Sequence, residues 1–401
     1  MSARSTSGPV IGAGGDGLLK YWRDKRIRAV ITQILVVAGL FAFLAYIASN
    51  AVANLEALGK EFGFEFLGAP ASYDINQTLI EYDSRSPHYR AALVGMLNTL
   101  LVAACGVLFA TIIGFTMGVM RLSSNWLVNR MVYCYIEITR NVPVLVQILL
   151  WHGIIVHSFP HPRQAIIPAE GFVLSNRGLY MPKPLFEPEF WVVVAAFVAA
   201  LIAAVVFARW AQAKQNHTGT VYPVFSINLA LIVGLPLIAY LLAGQPLGFE
   251  SPELKGFNYR GGMVIKPEFA ALWWALSLYT GAFIAEIVRS GIQAVSHGQT
   301  EASYALGLRP NRTLRLIIIP QALRVIVPPL TSQYLNLTKN SSLAIAIGYM
   351  DIVATLGGIT LNQTGKEMEC MMLVLLTYLC FSITISLFMN WYNRHIALVE
   401  R

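Results

Sequence analysis

EASYALGLRPNRTLRLIIIP, residues 301–320, lies between two long apolar runs and carries three arginines, one glutamate, one glycine and two prolines. Thr300 is placed to cap a helix beginning at Glu301. Ala302, Ala305 and Leu306 recur at i, i+3 and i+4, which puts one apolar stripe on that helix. Gly307 suits the left-handed residue that closes a helix, and Pro310 prevents simple continuation. A second helical stretch sets Leu314, Ile317 and Ile318 on one side and Arg309, Arg312 and Arg315 on another, before Pro320 opens the next apolar run. The pattern predicts two short helices joined by a sharp bend at the membrane surface. Ala302, Ser303 and Ala305 are small enough to let another surface approach. A connector resting on lipid headgroups is the simpler alternative.

The 401 residues are 56% hydrophobic and 12% charged, against about 25% charged in soluble domains. That deficit predicts an all-α polytopic membrane protein. Eight apolar runs reach spanning length: 29–48, 91–119, 131–156, 190–208, 225–243, 269–288, 324–349 and 371–391. The third is interrupted by Glu137, Arg140 and Pro143, and the seventh by Pro328, Pro329 and Lys339. Residues 1–28 read as a flexible basic cytoplasmic tail, 29–90 as an extra first span with an outer loop, and 91–395 as the core. The net charge of +8 is spread beside the apolar runs and not gathered in one patch, which excludes a nucleic-acid binder. Four cysteines without a CxxC pair predict neither a disulfide framework nor a zinc site. His152, His157 and His161 share no clear face, so no metal site is expected.

With the N-terminus in the cytoplasm, the inner segments hold 17 Lys/Arg and the outer ones 10, while acidic residues divide 4 inside and 15 outside. This bias orients both termini, and the 301–320 segment, toward the cytoplasm.

Charged groups within the runs point to a transport path, because ionisable side chains at membrane depth cost several kcal/mol unless they face protein or water. Glu137, Arg140, Asn141, Val144 and Gln147 form one stripe if the third span is a continuous helix. Lys339, Asn340 and Ser341 fall late in the seventh. Arg140 or Lys339 could meet a carboxylate, Glu137 an ammonium, and the Thr139 carbonyl freed by Pro143 is a further acceptor. Glu137 and Arg140 could equally neutralise each other at i, i+3; Glu286 and Arg289 are read as such a structural pair.

Glu301-Ala302-Ser303, Gly307, Ile317 and Pro320 resemble the cytoplasmic signature of permease subunits in binding-protein-dependent ABC importers. Ser303 and Ile319 are mild departures from it. LYTGAFIAEIVRSGIQAVSHGQTEASYALGL (278–308), EITRNVPVLVQ (137–147) and PQALRVIVPPLTSQYLNLTKNSSLA (320–344) are similar to the polar-amino-acid uptake branch, with greatest likeness to permease subunits of general L-amino-acid importers. The likeness covers about residues 91–395. It implies about eight transmembrane helices around a MetI-like, type I importer core in a bacterial inner membrane. It also implies that Glu301, Ala302 and Ser303 lie in a groove of a separate ATP-binding subunit, that Gly307 makes the bend and that Pro320 starts the span. The implied partners are that subunit in two copies, a second related permease, a periplasmic amino-acid-binding protein and the L-amino-acid substrate. No GxxxxGK[ST] loop occurs, so ATP and Mg would reside in the partner and this chain would bind no cofactor. The alternative is an ion-coupled secondary amino-acid transporter, which has no use for the bent segment. An enzyme is disfavoured, because no convincing nucleophile or metal cluster is found.

Overall fold

The computed structural model describes residues 25–57, 59 and 62–396. The tail reading falls mostly on residues 1–24, which lie outside the described residues. Residue contacts divide the chain after Phe66. In the first unit, α1 (Lys25–Ala57) is one 33-residue helix of mostly apolar sequence, about 50 Å long at 1.5 Å per residue.

The second unit holds the remaining helices. These are α2 (His88–Met120), α3 (Trp126–Asn141), α4 (Val144–Ser158), α5 (Phe190–Thr218), α6 (Val224–Leu242), α7 (Pro267–Gln293), α8 (His297–Ala305), α9 (Pro310–Thr313), α10 (Ile319–Asn340), α11 (Leu361–Thr364) and α12 (Glu367–Ile396). Among the described residues, seven helices are long and apolar enough to cross a membrane, and α3 with α4 adds an eighth if the pair counts as one span. The sequence placed all of these runs, because about 20 apolar residues are a local signal.

The core forms around α7, whose buried Leu272, Leu276, Ile284 and Val288 pack with Val102 of α2, Ile148 of α4 and Ile326 and Leu337 of α10. Helices in lipid gain nothing from burying leucine as such, so close packing needs small residues. Gly114 and Gly118 of α2 supply them. A Cβ at Gly114 would sit 2.4 Å from Ile284 Cγ2, and one at Gly118 2.7 Å from the Ala285 carbonyl oxygen.

The connections α4–α5 and α6–α7 contain eight short strands that helical periodicity does not announce. Strands β1 (Ile166–Ala169), β2 (Phe172–Ser175), β3 (Gly178–Met181) and β8 (Met263–Ile265) form an antiparallel sheet in that order. β4 (Lys183–Phe186) pairs with β5 (Leu247–Glu250), and β6 (Glu253–Lys255) with β7 (Asn258–Arg260). Between them, α5 and α6 form a hairpin in which α5 buries Ala200, Ala204 and Ala211.

Residues 67–90, read from sequence together with the first span, group by their contacts with the second unit. Polar side chains tie them there. Tyr73 Oη lies 3.1 Å from Thr360 Oγ1, and Asn98 Nδ2 donates to the carbonyls of Gln77 and Met350 at 2.9 Å each.

Candidate functional site

The bent segment begins earlier than its sequence indicates. α8 starts at His297 after Ser296, and Thr300 lies inside it and caps nothing. The end of α8 is as expected. Gly307 has φ +74°, its N–H donates to the Tyr304 carbonyl at 2.9 Å, and the Leu308 N–H reaches the Ser303 carbonyl at 3.1 Å. This pair of reverse bonds is the usual left-handed helix stop, in which glycine carries no steric penalty. No atom lies within 4 Å of a Cβ built at Gly307, so the outside of the bend is open.

Glu301, Ala302 and Leu306 are exposed, Leu306 to 81%. Ser303 is not: it is 1% exposed and points inward, where its hydroxyl lies 2.9 Å from that of Thr313, itself 2% exposed. Ser303, expected to lie in a partner's groove, is covered within this chain, because the bend folds α9 over it. The second arm runs through a π-turn, Leu314–Ile318, into α10, with Ile317 half-buried and Pro320 in the first turn of α10. Pro320 has no N–H for an i→i−4 bond. The wider turn bonds the Ile319 N–H to the Leu314 carbonyl five residues back.

The predicted stripe in the third span is divided. α3 ends at Asn141 and α4 begins at Val144, with a 107° bend between them. Val142 precedes a proline and takes extended angles, φ −95° and ψ 126°. The break orphans two carbonyls, and Gln147 satisfies both: its Nε2 donates to Thr139 at 2.8 Å and Val142 at 2.9 Å. Gln147 is thus buried structural glue, and the Thr139 carbonyl, expected to be free for a ligand, is occupied. Glu137 is half-buried and forms no ion pair with Arg140 among the described residues. The Arg140 guanidinium lies 5.1 Å over the Phe283 ring. Glu286 and Arg289 do pair, through Nε–Oε2 at 3.0 Å.

The polar residues at the end of α10 and just beyond it also separate. Ser341 is buried and donates to the Thr338 carbonyl at 2.7 Å, Asn340 is half-buried, and Lys339 is exposed. Arg140, Asn141 and Lys339 are therefore the pathway candidates left on open faces. Thr313 and Tyr135, whose hydroxyl donates to the Leu278 carbonyl at 2.7 Å, were missed from sequence. The signal available for Thr313 was a small hydroxyl on each side of a Gly–Pro turn.

The family described as "Binding-protein-dependent transport system inner membrane component" matches residues 106–398. The chain belongs to that family. This inner membrane component is 48% identical to the general L-amino acid transport system permease protein AapQ of Rhizobium johnstonii, over 94% of both chains. It is 49% identical to the putative amino-acid ABC transporter permease protein YhdX of Escherichia coli, over 94% of this chain and 95% of that one. It is 47% identical to the glutamate/glutamine/aspartate/asparagine transport system permease protein BztB of Rhodobacter capsulatus, over 94% and 96% respectively. Nothing in the relatives or the geometry supports the ion-coupled alternative.

One further ionisable group of this inner membrane component is buried in the connection between α10 and α12. Asp351 is 0% exposed, accepts the Ala354 N–H at 2.9 Å and lies 3.3 Å from the Tyr378 hydroxyl, which donates to it. Burial pushes its carboxyl up to about 6, with those bonds opposing only in part. A raised acid favours the fold while protonated, so its contribution is complete below the ordinary aspartate range and is lost as pH rises through about 6. Asp351→Asn keeps both partners and no charge. It should raise the unfolding temperature of the detergent-solubilised protein at pH 7.5 and flatten its pH dependence between 4 and 7, by up to about 3 kcal/mol.

Proposed function

We propose that this chain is the membrane-spanning subunit of an ATP-driven importer that moves L-amino acids inward by alternating access. The hydrolysis would be supplied by a separate ATP-binding subunit, in two copies, where ATP and Mg reside. A second related permease and a soluble periplasmic binding protein complete the assembly, and both termini of this chain lie in the cytoplasm. The observation that carries this reading is the bent segment 297–320. It presents Glu301, Ala302 and Leu306 around an open glycine stop in a chain that has no phosphate loop of its own. The substrate class rests on the printed names of relatives that match nearly the whole chain.

Arg140, Asn141 and Lys339 support a polar path between permeases. Exposed charges on spanning helices need cover from protein or a wet cavity, because lipid provides neither counter-charge nor hydrogen bonds. Lys339 or Arg140 would receive the substrate carboxylate and Glu137 its ammonium. Lys339→Gln should lower uptake efficiency about tenfold, the equivalent of about 1.4 kcal/mol, while the amount of co-purified ATPase stays unchanged. Loss of both together would place Lys339 in assembly and not in the path.

The direct test is to tag this chain, extract it gently and identify what accompanies it; an ATPase and a related permease are expected. The complex in vesicles should accumulate amino acid only with ATP. Accumulation by this chain alone, with no nucleotide-hydrolysing companion, would sink the proposal.

A further inference from the structure

The angle of the bend is held by few hydrogen bonds. Residues 306–309 join α8 to α9, and all but half-buried Leu308 are exposed. The two backbone bonds at Gly307 and Leu308 return to α8 itself, and those of Arg312 and Thr313 return to Arg309. They close each arm without joining the arms. Between α8 and the residues beyond the turn, two side-chain hydrogen bonds are present among the described residues. Gln299 to Gln321 is exposed and long at 3.3 Å, so water competes with it. Ser303 to Thr313 is 2.9 Å and buried at both ends. Ser303 Oγ also lies 2.7 Å from the Thr300 carbonyl. The Ser303 hydroxyl is the donor in both contacts, so its one proton is shared between the Thr300 carbonyl and Thr313 Oγ1. Thr313 in turn leads through the π-turn straight into α10, which carries Lys339 near its far end.

We infer that the Ser303–Thr313 hydroxyl pair is the clasp of the elbow, a positioning pair that makes a push on α8 move α10 instead of flexing residues 306–309. This deepens the proposed function and rests on it. Both residues are buried within the elbow, so their loss should spare partner binding and ATP hydrolysis while lowering the solute moved per ATP.

The test is Ser303→Ala, Thr313→Val and the double variant, each in the assembled complex in vesicles, with uptake and hydrolysis measured together. Each single variant should lower transport per ATP about threefold or more, the scale of one lost buried hydrogen bond. The double variant should fall no further than the singles, and Thr313→Ser should retain the wild-type ratio. A merely structural role would lower complex yield and both rates in proportion, leaving the ratio unmoved. An unmoved ratio overturns the clasp, as does a double variant equal to the product of the singles. Hydrogen exchange of the 307–312 amides in the solubilised chain reads the clasp without assembly. Exchange should quicken about threefold or more in Thr313→Val, as expected for one lost buried bond, and unchanged exchange overturns the inference. A wild-type chain that recruits no ATPase would instead refute the proposed function.

Discussion

Replacing Gly307 with glutamate should abolish recovery of the ATPase subunit with this chain and, with it, transport, while membrane insertion stays at the wild-type level. Two costs separate in this substitution. The first is conformational: at φ +74° any L-residue with a Cβ is disfavoured, by about 1–2 kcal/mol. The second arises only in the assembly. No atom lies within 4 Å of a Cβ at Gly307, so the first atom of a glutamate side chain meets nothing in this chain, and the charge is placed at the surface where the partner is proposed to dock. Gly307→Ala has the first cost and little of the second, and it should keep most of the associated ATPase. Co-purification followed by quantification of both subunits distinguishes the two. A glutamate variant that recruits the ATPase and transports normally would show that the bend is not the docking site.

Gln147→Leu should destabilise the solubilised protein by roughly 2–6 kcal/mol at most, because it strands two part-buried carbonyls, each worth about 1–3 kcal/mol when left unpaired. Leucine nearly matches the volume of glutamine, so the loss is of hydrogen bonds to Thr139 and Val142 and not of packing. Thermal unfolding in detergent reads the effect. Adding Pro143→Ala should recover part of it, since an alanine N–H at 143 can bond the Thr139 carbonyl as in an unbroken helix. If Gln147→Leu melts within a degree or two of wild type, water satisfies the break and the glutamine is dispensable.

The residues of the third span show where sequence reading stops. Pro143 was legible as an interruption, but not as a 107° turn, since a proline is compatible with a mild kink or a full break. A stripe drawn through Arg140 and Gln147 assumed one helix axis. Once the axis turns, the first faces outward beside Phe283 and the second is buried at the corner. Ser303 was ambiguous for a related reason. Its small size fits equally a groove outside the chain and a fold-back inside it, and only the position of Thr313, ten residues on, distinguishes them. Gly114 and Gly118 stand four apart in a spanning run, a spacing that signals close helix approach. The spacing was visible, but the partner helix α7 was not.

From sequence alone came the spanning helices, the basic residues grouped beside them, the glycine stop at 307 and the absence of a phosphate loop. Each depends on hydrophobic length, charge balance or the backbone limits of glycine and proline, which act over a few neighbouring residues. Tertiary structure alone decided the direction of α4, the inward turn of Ser303, the pairing of the short strands and the burial of Asp351. Those outcomes depend on which face of a segment distant residues cover, and the same local sequence is compatible with either face until that cover is in place.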